Sequence, residues 1–199
     1  MERLTAKNIL IVIPKDYYNE KELDPILVLL KKEGANIRIA SAKLKEAVGM
    51  KTGRIMPDLL IVDSMEGITG DSYVTGGSGT RQIKGVFHGA IVLGGPGAKR
   101  YLWTDAILRL LLTDRHRAGF VVAAIGLGVP CLAAAGLLEG LSIAAEQTKD
   151  SVKELEKSKA LIVEDAVMVN DRIITAKDAA AVEPFVQAVI EAVEKTPLK

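Results

Sequence analysis

Residues 120–140, FVVAAIGLGVPCLAAAGLLEG, read as a buried strand, a sharp glycine turn and an apolar helix. Val121, Val122, Ala123, Ala124 and Ile125 form an unbroken apolar run, the pattern of a central strand covered on both faces. Gly126 and Gly128 permit backbone angles that side chains resist. Pro130 suits the first turn of a helix, where its missing N–H is no loss. The pattern predicts that helix over residues 131–138, with Gly140 as its stop. A strand–turn–helix of this kind is where α/β folds hold a nucleophile. At its tip this chain has Gly126, which has no side chain with which to attack.

Working outward, strands are expected at residues 8–14 (NILIVIP), 36–41 (NIRIAS), 58–62 (DLLIV) and 86–93 (VFHGAIVL), with short ones at 141–145 and 160–163. A first helix runs through LVLLKKEG to Gly34. It opens either at Asp24-Pro25 or near Glu20 with a bend at Pro25. Further helices are expected at 101–113, 149–157 and 179–193. Asn170-Asp171 marks a hairpin between strands at 166–169 and 172–175. Residues 64–84 are rich in Gly, Ser and Thr without a long period and read as an excursion: a surface hairpin or a loop, with a lid over the site as its functional reading. Strands alternating with helices give an α/β sandwich around a mainly parallel sheet, in one domain spanning residues 1–199.

Composition narrows the function. The chain has 199 residues, 49% of them hydrophobic and only 4% aromatic, so the core is aliphatic and alanine-rich. A formal charge of +1 and a pI of about 7.8 lack the basic excess of a nucleic-acid binder. The one cysteine excludes an internal disulfide framework and a cysteine-rich metal site, and a reducing cytoplasm is the expected compartment. The opening apolar run is too short for a signal peptide, and no stretch reaches the roughly 18 apolar residues of a membrane span.

In an open parallel sheet, ligands bind beyond the carboxyl ends of the strands. The loops at 15–21, 94–100 and 126–129 fall there and are expected to form one crevice. The run AIVLGGPGAKRYLW, followed by AGFVVAAIGLGVPCLAAAGLLEG and closed by VEDAVMVNDRIITAKDAAAVEPF, resembles the ThiJ/PfpI superfamily of DJ-type stress proteins and PfpI-type intracellular proteases. With NILIVIP and LLKKEGANIRIAS, the likeness covers most of the chain outside the excursion. It implies a flavodoxin-like, three-layer α/β/α fold of the class I glutamine-amidotransferase type, with a small added hairpin. It also implies homo-oligomers, and activities that include glyoxal hydration, deglycation, peptidase action and redox sensing.

The resemblance further implies a cysteine on the elbow, an acid from the loop after the first strand that hydrogen-bonds to it, and an oxyanion hole of backbone amides. Here the cysteine position is Gly126, and a histidine found next to it in some branches is Leu127. Ungapped alignment puts the acid on Asn19, with Glu20 beside it and Tyr18 in the same pocket-lining loop. Without a nucleophile, ordinary catalysis of the family is not expected. The leading expectation is a pocket that holds a small ligand and does not react with it. The alternative is an enzyme with a displaced group, Cys131 or Glu20; a helix N-terminus favours a thiolate at Cys131, whereas burial makes it an inert core residue. A third reading is an anion site in the turn Gly94, Gly95, Gly97, assisted by Lys99 or Arg100.

No cofactor is expected. The turn lacks the G-K-[ST] of a P-loop, GLGVPC is not a dinucleotide fingerprint, and no His, Cys and Asp cluster has metal-ligand spacing. His88 and His116 are expected away from the crevice, and Trp103 is expected in packing. The expected partners are a second copy of the chain, in keeping with the mean hydropathy of +0.23, and a small molecule; no nucleic acid or membrane is expected.

Overall fold

The computed structural model describes residues 2–65, 68–76 and 79–198, without the side chains of 68–76 and 79–85. The chain opens with β1 (Asn8–Val12), the short β2 (Asp16–Tyr18) and α1 (Glu20–Lys32). It continues through β3 (Asn36–Ser41), β4 (Ala47–Gly49), β5 (Arg54–Ile55), β6 (Leu59–Leu60) and one turn of helix, α2 (Ile61–Ser64). β7 (Ile68–Gly76) and β8 (Gly79–Gly85) pair antiparallel, so the excursion is a hairpin in its described part; residues 66–67 and 77–78 lie outside the described residues. β9 (Gly89–Val92), α3 (Pro96–Tyr101), α4 (Ala106–Arg117) and β10 (Val121–Ile125) lead to the elbow. A 3-10 turn over Gly126–Gly128 passes directly into α5 (Val129–Ala134). β11 (Ser142–Ile143), α6 (Lys149–Lys157), β12 (Leu161–Ile162), β13 (Val167–Asn170) and β14 (Ile173–Ala176) follow, and α7 (Val182–Glu194) closes the chain.

Seven strands form the central sheet in the order β13-β14-β10-β9-β1-β3-β6. All neighbours are parallel except β13, which folds back antiparallel on β14 as the Asn170-Asp171 signal indicated. Alternate residues of each strand feed two separate cores. Ile9, Ile11, Ile91, Val121 and Ala123 pack under Leu23, Ile26, Phe185 and Val189 of α1 and α7. Leu10, Val92, Val122 and Ala124 pack under Leu108, Leu111, Leu132 and Leu155 of α4, α5 and α6. This is the flavodoxin-like three-layer sandwich. β10 lies between β9 and β14, is covered on both faces and is wholly buried.

Of the helix boundaries, the structure chooses one of the two expected starts and moves two others, each for a local cause. α1 starts at Glu20 because Asn19 caps it, its side chain accepting from Lys21 N; Pro25 then lies inside the helix. The helix expected at 101–113 is two helices, since Asp105 caps a fresh start by accepting from Leu108 N at 2.9 Å. α5 stops at Ala134 and not near Leu138, because the chain turns at Gly136 with φ +72°, before Gly140 is reached.

The direction of winding changes between β1 and β9. The crevice beyond the carboxyl ends of these strands is where such sheets take ligands. The start of α1, the Gly94 turn and the elbow all meet there.

Candidate active-site crevice

Gly126 follows β10 with φ +57°, a left-handed conformation that costs an L side chain about 1 kcal/mol or more. The elbow therefore has the strained geometry expected of a nucleophile position, with no nucleophile on it. The space is not empty. A Cβ added to Gly126 would lie 2.6 Å from Glu22 Oε1 and 3.3 Å from Glu146 Oε2. Two carboxyl groups border the place where a side chain would stand.

Glu22 reaches the elbow through the cap of α1. Asn19 precedes the helix and Glu22 is its third residue, so the first turn carries the carboxyl back over the cap. Asn19 Nδ2 donates to Glu22 Oε1 at 3.0 Å, and Gly94 N donates to Oε2 at 2.8 Å. The second bond ties the β1 side of the crevice to the β9 side. Glu22 is fully buried. Burial pushes its carboxyl up to about 8; the Gly94 and Asn19 amides oppose this, and the charges of Glu146 and Asp178 add to it. Glu22 is thus a neutral acid at pH 7.

Glu146 comes from the segment after β11. That segment is held by Ser151, whose hydroxyl donates to Glu146 O at 2.6 Å while exchanging capping bonds with Thr148 at the start of α6. Partial burial, and then Asp178, push the Glu146 carboxyl above its ordinary value. Asp178, just after β14, accepts from Ala180 N at 2.8 Å. On the far side of the elbow, Trp103 Nε1 donates to Leu127 O at 2.7 Å, so the indole braces the turn in addition to packing in the core.

Several expected site residues have other work. Asn19 is not the acid position. The short strand β2 and the cap shift the carboxyl three residues along, and Asn19 serves Glu22 as a donor. Glu20 points away from the elbow, and its carboxylate accepts from the backbone N–H of Met50, Lys51 and Gly53 at 3.0, 2.8 and 3.1 Å. Burial raises that carboxyl, but the amides of Lys51, Gly53 and Met50 outweigh it and hold it below the usual range. Tyr18 is buried in the core beside α1, its hydroxyl turned toward Gly53.

Cys131 lies in the other core, 1% exposed. Burial, and then the charge of Asp105, push its thiol far above the ordinary value, the opposite of an activated cysteine. The helix-terminus argument for a thiolate is overridden by desolvation.

The glycine turn is a packing device. A Cβ at Gly95, where φ is +98°, would lie 2.5 Å from Tyr17 O, and one at Gly97 would overlap Asp16 O. These residues let the backbones of the two loops touch. The Gly94 amide, expected to face an anion, is taken by Glu22. Lys99 is paired with Asp150, and Arg100 shares the Tyr101 ring with Lys15, at 5.3 and 4.6 Å from its centroid. His88 is buried at the opposite end of the sheet, its Nδ1 accepting from Asn8 N at 3.0 Å, and His116 lies in the last turn of α4. A hollow of about 470 Å³ lined by Gly119, Asp171, Arg172, Glu191 and Lys195 is also at that opposite end and contains none of the elbow's groups.

Sequence reasoning missed Glu22, Glu146 and Asp178. The spacing of Asn19 and Glu22, a cap followed three residues later by Glu, was a usable signal for the first. Nothing local marks the other two. Among the described residues no group of three or more His, Cys, Asp or Glu is arranged to hold a metal ion, and no helix is long and apolar enough to cross a membrane.

A mainly parallel sheet between helical layers, with a positive-φ elbow after its central strand and a buried acid beside that elbow, defines a flavodoxin-like α/β protein. More narrowly, the chain belongs to the DJ-1/PfpI family, whose model matches residues 7–192. It is similar to uncharacterized protein MJ0967 of Methanocaldococcus jannaschii, with 29% identity over 190 residues that cover 96% of this chain and 83% of the relative. Among solved structures it is similar in fold to a ThiJ/PfpI domain protein from Brachyspira murdochii, with TM-score 0.80 and 23% identity over 98% of this chain and 99% of that one. Drosophila melanogaster DJ-1beta is also similar, with TM-score 0.75 and 18% identity over 96% and 91%.

Proposed function

We propose that this protein is a member of the DJ-1/PfpI family that binds a small ligand reversibly in the crevice above Gly126 and forms no covalent bond to it. One observation carries the reading: at the crest of the elbow the buried carboxyl of Glu22 borders the space of the missing side chain. The burial of Cys131 supports it, because the chain's other route to a nucleophile is closed in the folded state. A ligand here meets carboxyls and backbone, which favours hydrogen-bond donors over anions.

Native protein treated with iodoacetamide or methylglyoxal at pH 7.5 is expected to show no adduct on any crevice residue by intact mass and peptide mapping. Gly126→Cys is expected to gain one alkylation per chain within minutes, since the atom that its Cβ crowds is the end of the Glu22 side chain and not backbone. A crevice adduct on the unsubstituted protein would overturn the reading.

Self-association is proposed as well. Tyr17, Leu44, Met50 and Met56 are each about half exposed and lie on or beside the small sheet β2-β4-β5. Single exposed apolar groups are ordinary, but several on one edge suit a subunit contact. Sedimentation at micromolar concentration is expected to give a dimer or larger; a monomer would contradict it. The single buried cysteine suits the reducing cytoplasm as the working compartment.

A further inference from the structure

Both hydrogen bonds recorded on Glu22 are received: Asn19 Nδ2 donates to Oε1 and Gly94 N to Oε2. Neither partner can take a proton from it. A fully buried carboxyl that stays neutral must still place its O–H on an acceptor. The charged groups acting on Glu22 are Glu146, from the segment after β11, and Asp178, from the segment after β14. Asp178 is already engaged with Ala180 N. Glu146 Oε2 borders the same side-chain space at Gly126 as Glu22 Oε1, and its distance from that space places the two oxygens within about 6 Å of each other. One water can span a separation of that order.

We propose that Glu22 and Glu146 form a carboxyl–carboxylate pair across Gly126, with the O–H of Glu22 directed at Glu146. Glu146 is then a positioning residue: it holds the proton on the Glu22 side and fixes that carboxyl under the crest. With the pair intact, the floor of the crevice carries one proton between two acids. When the proton leaves, Glu22 joins Glu146 and Asp178 as a third negative charge at the floor, and their mutual repulsion raises the cost of that ionisation. The inference rests on the reading of the crevice as non-covalent, because a thiol would compete for the same proton.

Carboxyl ¹³C NMR of glutamate-labelled protein tests it. Glu22 is expected to titrate near the value of about 8 that its burial sets. Glu146→Gln removes the facing charge and is expected to lower that titration by about one pH unit. Asp178→Asn, which keeps a capping side chain, is expected to lower it less. No shift in Glu146→Gln, or a shift in Asp178→Asn as large or larger, would overturn the pair. An adduct found at the crest by mass spectrometry would instead overturn the non-covalent reading, so the two failures are distinct.

Discussion

Glu22→Gln should gain about 5 kcal/mol of stability relative to the parent protein between pH 4 and pH 9, equivalent to a relative Tm rise of roughly 15 °C for a chain of this size. The sign follows from proton binding. The Glu22 carboxyl is raised from 4.5 to about 8 in the folded protein. Between those values the native state keeps a proton that the unfolded chain has released. Stability therefore falls as pH rises through the window, by about 1.4 kcal/mol per pH unit, and the full cost remains above it. Glutamine has nothing to ionise, can still accept from Gly94 N and can donate to Glu146; its NH₂ cannot accept from Asn19 Nδ2, a loss that is the same at every pH. Glu146, itself shifted upward, contributes a slope of the same sign in both proteins and does not mask the difference. Thermal unfolding from pH 4 to pH 9 provides the check. A difference between the two proteins that does not change with pH would mean that Glu22 is ionised in the fold.

Gly97→Ala should cost about 3 kcal/mol or more, the scale of forcing an extra carbon into close-packed backbone. Its Cβ would overlap the carbonyl oxygen of Asp16 and come within 2.9 Å of Pro14 Cβ. Pro14 lies between β1 and β2 and Asp16 opens β2, and a backbone carbonyl cannot swing aside as a side chain can. Relief requires that segment to separate from α3, and Asn19, the donor to Glu22, moves with it. Gly119→Ala is the contrast. Nothing lies within 4 Å of its Cβ, so only the strain of φ +88° remains, about 1 kcal/mol. Urea denaturation of the two variants distinguishes crowding from backbone strain; a Gly97→Ala protein as stable as Gly119→Ala would show that the two loops are not packed as described.

How much of the site could be read in advance depended on how each residue reports itself. Gly126 was legible because it stands at a fixed place, directly after an apolar strand and before a helix. Cys131 could be read both as a displaced nucleophile and as a residue packed under the sheet, and burial is the reading that holds; the choice depends on what covers the first turn of the helix. Glu20 and Glu22 are two residues apart on one helix. Which of them faces the elbow is set by the start of α1 at Asn19, and the first helix had two acceptable starts in the sequence.

The amino-acid order alone determined the layered α/β architecture, the parallel sheet with its closing hairpin, and the absence of a side chain at the elbow. These depend on local pattern: apolar runs, glycine and proline positions, and a turn dipeptide. Only the folded chain decided that Glu22, Glu146 and Asp178 converge on that elbow. They come from three segments far apart in sequence, each too short to carry a period, and nothing local distinguishes a carboxylate bound for solvent from one that will be buried. The raised Glu22 carboxyl is likewise a property of the fold, because desolvation and facing charge exist only once the strands have brought those segments together.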